Sequence, residues 1–416
     1  MKAKTNYSKF LLLWSGELVS AIGGGLTSFG LSVYVFQSTG SAGSMALVVL
    51  LAFLPNLLLS APAGVLADRY DRRLMMIIGD GLSALGLVYI LLCMLGGEAA
   101  LHQICIGVFI SSVFSSLLEP AYRATVTDLL SREEYSRASG MVSIAGSARY
   151  LISPVIAGFL LSVSDIKLLL LIDIGTFFLT AICTAIVRSG LESKTPECQT
   201  TFLESFREGW SAIAEKRGLV ILVVVSSVMT CFMGAMQILS EPMILDFASS
   251  RVLGIAETVC ASGMLVSSLI IGIRGLKKDF ARTLSVSLVL AGFAMLGFGL
   301  KENIYLICCF GFVFFFMLPF ANNCLDYMFR TNVDAGKQGR AWGLVGFLSQ
   351  IGYVIAYGSV GLLADKIALI RQQSVGRAAA GLIMVSGLLL ALLAVALYQF
   401  KDVRGLEKNE KTLNYQ

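Results

Sequence analysis

Twelve apolar runs divide this chain: 10–36, 44–66, 74–95, 101–122, 138–162, 166–187, 218–244, 253–273, 281–300, 303–329, 339–363 and 376–400. Each is close to the ~20 residues that a helix needs to cross the hydrocarbon of a bilayer. The composition agrees, at 56% hydrophobic and 14% charged, against roughly 45–50% and about 25% in soluble domains. The first run follows Lys2, Lys4 and Lys9, as a cleaved leader would. It continues to about Val35 and a second run follows almost at once, so it reads as a retained span. The expected fold class is therefore an all-α membrane protein with twelve transmembrane helices.

The longest polar stretch, Arg188 to Arg217, separates six runs from six and points to an internal repeat. This gives an N-terminal domain 1–189, a linker 190–217, a C-terminal domain 218–400 and a tail 401–416. In the linker, Phe202, Phe206, Trp210 and Ile213 recur at helical spacing beside Glu204, Arg207 and Glu208. That pattern predicts an amphipathic helix at the membrane surface. With the N terminus inside, the outer segments hold only Lys167, Arg251, Lys301, Lys366, Arg371 and Arg377. All other Lys and Arg, Arg149 apart, fall in inner segments, which predicts that both termini are cytoplasmic.

Several chemistries lack their residues. The nine cysteines fall mostly inside apolar runs without metal-ligand spacing, and His102 is the single histidine. No metal or cofactor is expected. No G-x-x-x-x-G-K-[ST] loop occurs, so the chain is not by itself a nucleotide-driven pump. A membrane-embedded transferase would need a cluster of polar catalytic groups at one face, which His102 alone does not supply. The chain is not read as an enzyme.

Between the second and third runs lies "GVLADRYDRR". Its spacing, Gly64-x-x-x-Asp68-Arg69-x-x-Arg72-Arg73, resembles the loop signature of the major facilitator superfamily, with Asp71 where that signature usually has glycine. "SPVIAG" (153–158) and "GRAWGL" (339–344) match further features, and the resemblance is strongest to the bacterial macrolide-efflux and drug:proton antiporter branch. It implies two six-helix domains around a central cavity, with alternating access. Gly64, Asp68, Arg69, Arg72 and Arg73 would then form a cytoplasmic gate. A helix N terminus carries partial positive charge that a carboxylate stabilises, by up to about 2 kcal/mol when partly buried. Asp68 can offer that contact to the start of span eleven in one state only, which biases the equilibrium.

Ionisable groups within spans are functional candidates because they are expensive there. Glu17 lies roughly 10 Å past Phe10 by helix rise, on a stripe with Ser20, Gly24 and Ser28. Glu119 shares a stripe with Ser112, Ser115 and Ser116, and Asp326 with Pro319, Asn322 and Asn323. Glu17, Asp326 and Glu119 are the candidate proton-coupling groups; by resemblance, spans one, four, seven and ten line the cavity. Proton-coupled members often carry an arginine in span four, where this chain has Ser111 and Ser112. Arg149, near the midplane of span five, can supply that charge. It needs a carboxylate (Glu17 or Glu119) or an anionic substrate group. Asn322, Asn323, Gln237, Gln350, Tyr353 and Tyr357 are candidate substrate-cavity residues. Asp80, Asp173 and Glu241 read as structural.

The function expected is proton-coupled export of amphipathic small molecules of drug or macrolide type. Lysolipid, siderophore or metabolite export on the same fold remains open. The expected partners are a small-molecule substrate, protons and the lipid bilayer, with no nucleic acid. The protein is expected to act as a monomer in the bacterial cytoplasmic membrane.

Overall fold

The computed structural model describes residues 6–131, 134–188, 202–276, 279–334 and 338–406, without the side chains at 61, 68, 136, 202–206, 208, 339 and 340. Among these residues there are fifteen bounded α-helices, a further helical stretch at 401–406 and no strand. They are α1 Tyr7–Thr39, α2 Ala42–Arg69, α3 Arg72–Leu95, α4 Leu101–Ser115, α5 Leu118–Leu129, α6 Tyr135–Leu151, α7 Ser153–Val163, α8 Ile166–Arg188, α9 Phe202–Ala214, α10 Arg217–Leu245, α11 Ser250–Arg274, α12 Phe280–Phe298, α13 Ile304–Asn332, α14 Gln338–Arg371 and α15 Val375–Gln399. Twelve spans follow, because α4 with α5 forms one, α6 with α7 forms another, and α9 stands apart. Helix is the only local structure that satisfies every backbone N–H and C=O within one lipid-immersed segment. Span boundaries are set by caps. Asp71, Asn303 and Ser374 accept hydrogen bonds from the first-turn N–H groups of α3, α13 and α15, and Gly40 closes α1 at φ 64°.

The broken spans depart from the continuous helices that hydropathy predicts, and a proline follows each break within a few residues. Pro120 and Pro154 cannot donate to Ser116 and Tyr150, and each ring crowds the carbonyl four residues back. At the first break, hydroxyls take up backbone acceptors: Ser116 Oγ donates to Val113 O at 2.6 Å and Ser115 Oγ to Ser112 O at 3.1 Å. Span eleven runs on as α14 to Arg371, so Lys366 and Arg371 lie on a helix. The third positive of that region, Arg377, pairs with Glu302 at 3.2 Å.

The chain forms two compact units. Unit 1 holds Met1–Gly40, Ser44–Gln199 and Ser250–Ile255; unit 2 holds Ser41–Gly43, Thr200–Ser249 and Ala256–Gln416. In unit 1, Phe10, Leu13, Met76, Tyr122 and Val187 meet in an apolar core at the end of the bundle that carries the 64–73 loop. In unit 2, α12 packs on α13 and α15, and α10 on α14. Helix α9 belongs to unit 2; there Trp210 is exposed, Ile213 is fully buried, and the side chains of Phe202, Glu204, Phe206 and Glu208 lie outside the described residues.

Candidate functional site

Helix α1 organises unit 1 through glycines seven residues apart. A Cβ at Gly16 would lie 3.4 Å from Cys183 Cβ, one at Gly23 2.5 Å from Thr176 Oγ1, and one at Gly30 2.5 Å from Ile166 Cδ1. Gly16, Gly23 and Gly30 therefore form a seam on which α8 lies at backbone-close range, the usual way for helices to associate where lipid removes the hydrophobic drive. Thr180 Oγ1 donates to Gly16 O at 3.3 Å within it. On the neighbouring face of α1, about 100° round the helix, the stripe Glu17, Ser20, Gly24 and Ser28 is not packed over: Ser28 is exposed, and a Cβ at Gly24 would meet nothing within 4 Å.

The α6–α7 break sits against this helix. Ser153 Oγ donates to Ile22 O at 3.0 Å, and Trp14 Nε1 donates to Met141 O at 2.7 Å. Arg149, in the last turn of α6, reaches the open stripe and donates from Nη2 to Ser28 Oγ at 3.2 Å. It forms no ion pair among the described residues. Ser28 is eleven residues beyond Glu17, roughly 16 Å of helix rise. Of the partners that the sequence leaves open for Arg149, Glu17 is therefore not in contact with it.

Glu17 is half-buried and makes no hydrogen bond or ion pair among the described residues. Glu119 lies on the exposed first turn of α5, where Arg123 holds its carboxylate at 2.7 Å. Two carboxylates read as structural are enclosed. Asp173 is 2% exposed and accepts from Thr176 Oγ1 at 3.2 Å; Asp80 is 1% exposed, with Oδ2 lacking a hydrogen-bond partner among the described residues.

The 64–73 segment, helical to Arg69 and again from Arg72, is held by ion pairs that its spacing did not foretell. Arg72 Nη1 reaches Asp128 Oδ1 at 2.8 Å while its Nε donates to Ala67 O at 3.1 Å, tying the end of α2 to α5. Asp71 caps α3 by accepting from the N–H groups of Arg73 at 3.0 Å and Leu74 at 3.3 Å. Its other oxygen accepts from Arg188 Nε at 2.8 Å. Partial burial works to raise the Asp71 carboxyl, but Arg188 and the two N–H groups outweigh it and hold the group below the usual carboxylate range. Arg73 is buried, Arg69 is exposed, and Gly64 has open space around its Cβ position. The side chain of Asp68 lies outside the described residues. An acidic residue just ahead of an apolar run is a cap signal, and it marks Asp71 in the sequence; the partners Asp128 and Arg188 carry no such local mark.

In unit 2 the structure brings three candidate cavity residues together. Tyr357 OH donates to Gln237 Oε1 at 2.7 Å, and the Tyr353 and Tyr357 rings lie 5.5 Å apart. Gly352 and Gly234 let α14 and α10 approach closely there, with Ser227 Oγ donating to Leu348 O at 2.8 Å. Gln350, also on α14, has a buried Oε1 without a partner among the described residues. Asn322 and Asp326 are exposed and Asn323 is half-buried on α13, and Arg330 follows Asp326 by four residues on the same helix. Sequence reasoning missed Asp365, which accepts from Ser41 Oγ at 2.6 Å and from the N–H groups of Ala42 and Gly43 at 2.9 Å each.

Comparison with known proteins places these features in a family. Residues 13–357 match the profile of the Major Facilitator Superfamily. Macrolide efflux protein A of Streptococcus pyogenes is 24% identical over 406 residues, covering 96% of this chain and 97% of the relative. The Enterococcus faecalis protein of the same name is 24% identical over 309 residues, covering 73% and 95%. Among solved structures, a bacterial homologue of the lysosomal transporter Spinster superposes with TM-score 0.75 at 14% identity, covering 98% of this chain and 99% of that one. The nucleoside transporter NupG gives 0.70 at 14% identity, covering 94% and 100%. With twelve spans, the loop motif and a profile match over most of its length, the chain belongs to the major facilitator superfamily.

Proposed function

We propose that this protein is a secondary active exporter of amphipathic small molecules, driven by protons, in a bacterial cytoplasmic membrane with both termini inside. The observation that carries the reading is Glu17, a carboxylate with no hydrogen-bond or ion-pair partner among the described residues, on the open polar stripe of a membrane-spanning helix. Adding a proton there removes a charge from within the membrane and so changes which conformational state is favoured, which is the physical basis of coupling. The names of the relatives support drug-type cargo, and the Lys and Arg distribution supports the orientation. Asp68 is the proposed gate residue, with Asp326 the second coupling candidate and Glu119 weakened by its bond to Arg123. The test is efflux from proteoliposomes under an imposed pH gradient, across macrolides, dyes and lysolipids. Glu17→Gln should lose uphill transport and retain substrate exchange, while Asp68→Asn should slow both with insertion intact. Uphill transport that survives in Glu17→Gln and fails in Asp326→Asn would transfer the role to Asp326.

A further inference from the structure

Arg149 stands near the middle of its span, twelve residues from Arg137 and fourteen from Val163. It is nonetheless exposed. At that depth an exposed guanidinium facing lipid is strongly disfavoured, so its surroundings must be a watered, polar face. The neighbouring residues agree. Ser139, Ser143 and Gly146 are exposed on α6, and the side chain Arg149 reaches is Ser28 on the open stripe of α1. Helix α8, by contrast, exposes Leu171, Phe178, Ile182 and Ile186, a face suited to acyl chains.

The charge on that polar face is not neutralised by contact. Arg149 has five N–H donors in a planar fork, and the acceptor it meets among the described residues is one serine hydroxyl. Two carboxylates act on it across space. Asp173 is enclosed between α8 and α1, with Thr176 donating to it, and Glu17 lies lower on the stripe. Neither occupies the fork. A fork of this kind matches the paired oxygens of a carboxylate or phosphate, and a hydroxyl held beside it adds a further donor.

We propose that Arg149 and Ser28 recognise an anionic head group, carboxylate or phosphate, on the amphipathic molecule that the protein transports. The inference rests on the transport reading for its cargo, but it makes a claim about binding that needs no gradient and no coupling. The polar stripe takes the head, and the apolar tail continues along the surrounding helices.

Equilibrium binding to the purified full-length protein in dodecyl maltoside provides the test. The probe is 11-(dansylamino)undecanoic acid, and its uncharged primary amide is the matched control. The acid should bind about tenfold or more tightly than the amide, as one charge-assisted contact supplies. Arg149→Gln should bring the ratio close to one, and Arg149→Lys should keep part of it, because the charge remains without the fork. On the unaltered protein, dodecyl phosphate should displace the probe far better than dodecyltrimethylammonium, so the outcome does not depend on a variant that folds. Lysophosphatidylglycerol, if it displaces better than dodecyl phosphate, assigns the anionic head to lipid; the reverse order assigns it to a free amphiphile. Equal binding of acid and amide, equal displacement by the cation, or a ratio that persists in Arg149→Gln overturns the proposal. Loss of pH-driven efflux with the binding ratio intact would sink the coupling mechanism and leave this site standing.

Discussion

Asp71 carries two separable interactions on one carboxylate, the α3 cap and the Arg188 pair. Asparagine caps a helix as well as aspartate does, whereas alanine does not cap at all. Asp71→Ala should therefore lower stability by about 1–2 kcal/mol. Asp71→Asn should lower it by less than about 1 kcal/mol, because the lost ion pair is partly solvent-screened. Thermal unfolding of the purified variants reads both. The pH dependence has a definite sign. The folded-state value lies below the unfolded one, so the contribution is complete above the ordinary carboxylate value of ~3.9 and fades as pH falls through the lowered one. The stability gap between the unaltered protein and Asp71→Asn should close on acidification through that window, and a gap that widens would contradict the assignment. The same scale shows where sequence reasoning ran short. Helix rise gave the depth of Arg149 within its own span but not the level at which α6 meets α1, and that level decided that its hydrogen bond goes to Ser28 and not to Glu17 on the same stripe.

Among the elements, α1 shows how adjacent glycines serve different ends. Gly23 faces Thr176 and Asp173 across the α8 seam, whereas Gly24 faces open space. Gly23→Ala should destabilise by about 1–3 kcal/mol through overpacking. Gly24→Ala should be neutral or stabilising by up to about 1 kcal/mol, since alanine is the better helix former. Graded denaturation in mixed micelles would separate the two, and equal effects would mean that the seam repacks freely. The glycines were visible in "SAIGGGLTSFG", but which of them meets α8 depends on a partner far along the chain. The prolines were equally visible. "SPVIAG" and Pro120 stand in plain view, yet hydropathy averaged over a span is blind to a break one or two residues long.

For the molecule as a whole, the twelve spans were legible because lipid leaves a chain few options, and their lengths are written in the apolar runs. The grouping of Ser41–Gly43 with unit 2 and of Ser250–Ile255 with unit 1 was not legible, since it arises from tertiary contacts such as those of Asp365. The two breaks also set unit 1 apart from unit 2. Both interrupted spans belong to unit 1, whereas the spans of unit 2 are continuous helices even where Pro242 and Pro319 lie inside them. Backbone amides flanking 116–118 and 151–154 should exchange with deuterium at least about tenfold faster than those in the middle of α10 and α14, as weaker local hydrogen bonding dictates. Mass-resolved exchange on the protein in lipid would measure this, and matched rates would contradict it. The mechanical consequence to expect is unequal bending: the two rods jointed at mid-length should flex there more readily than the unbroken helices of the other bundle.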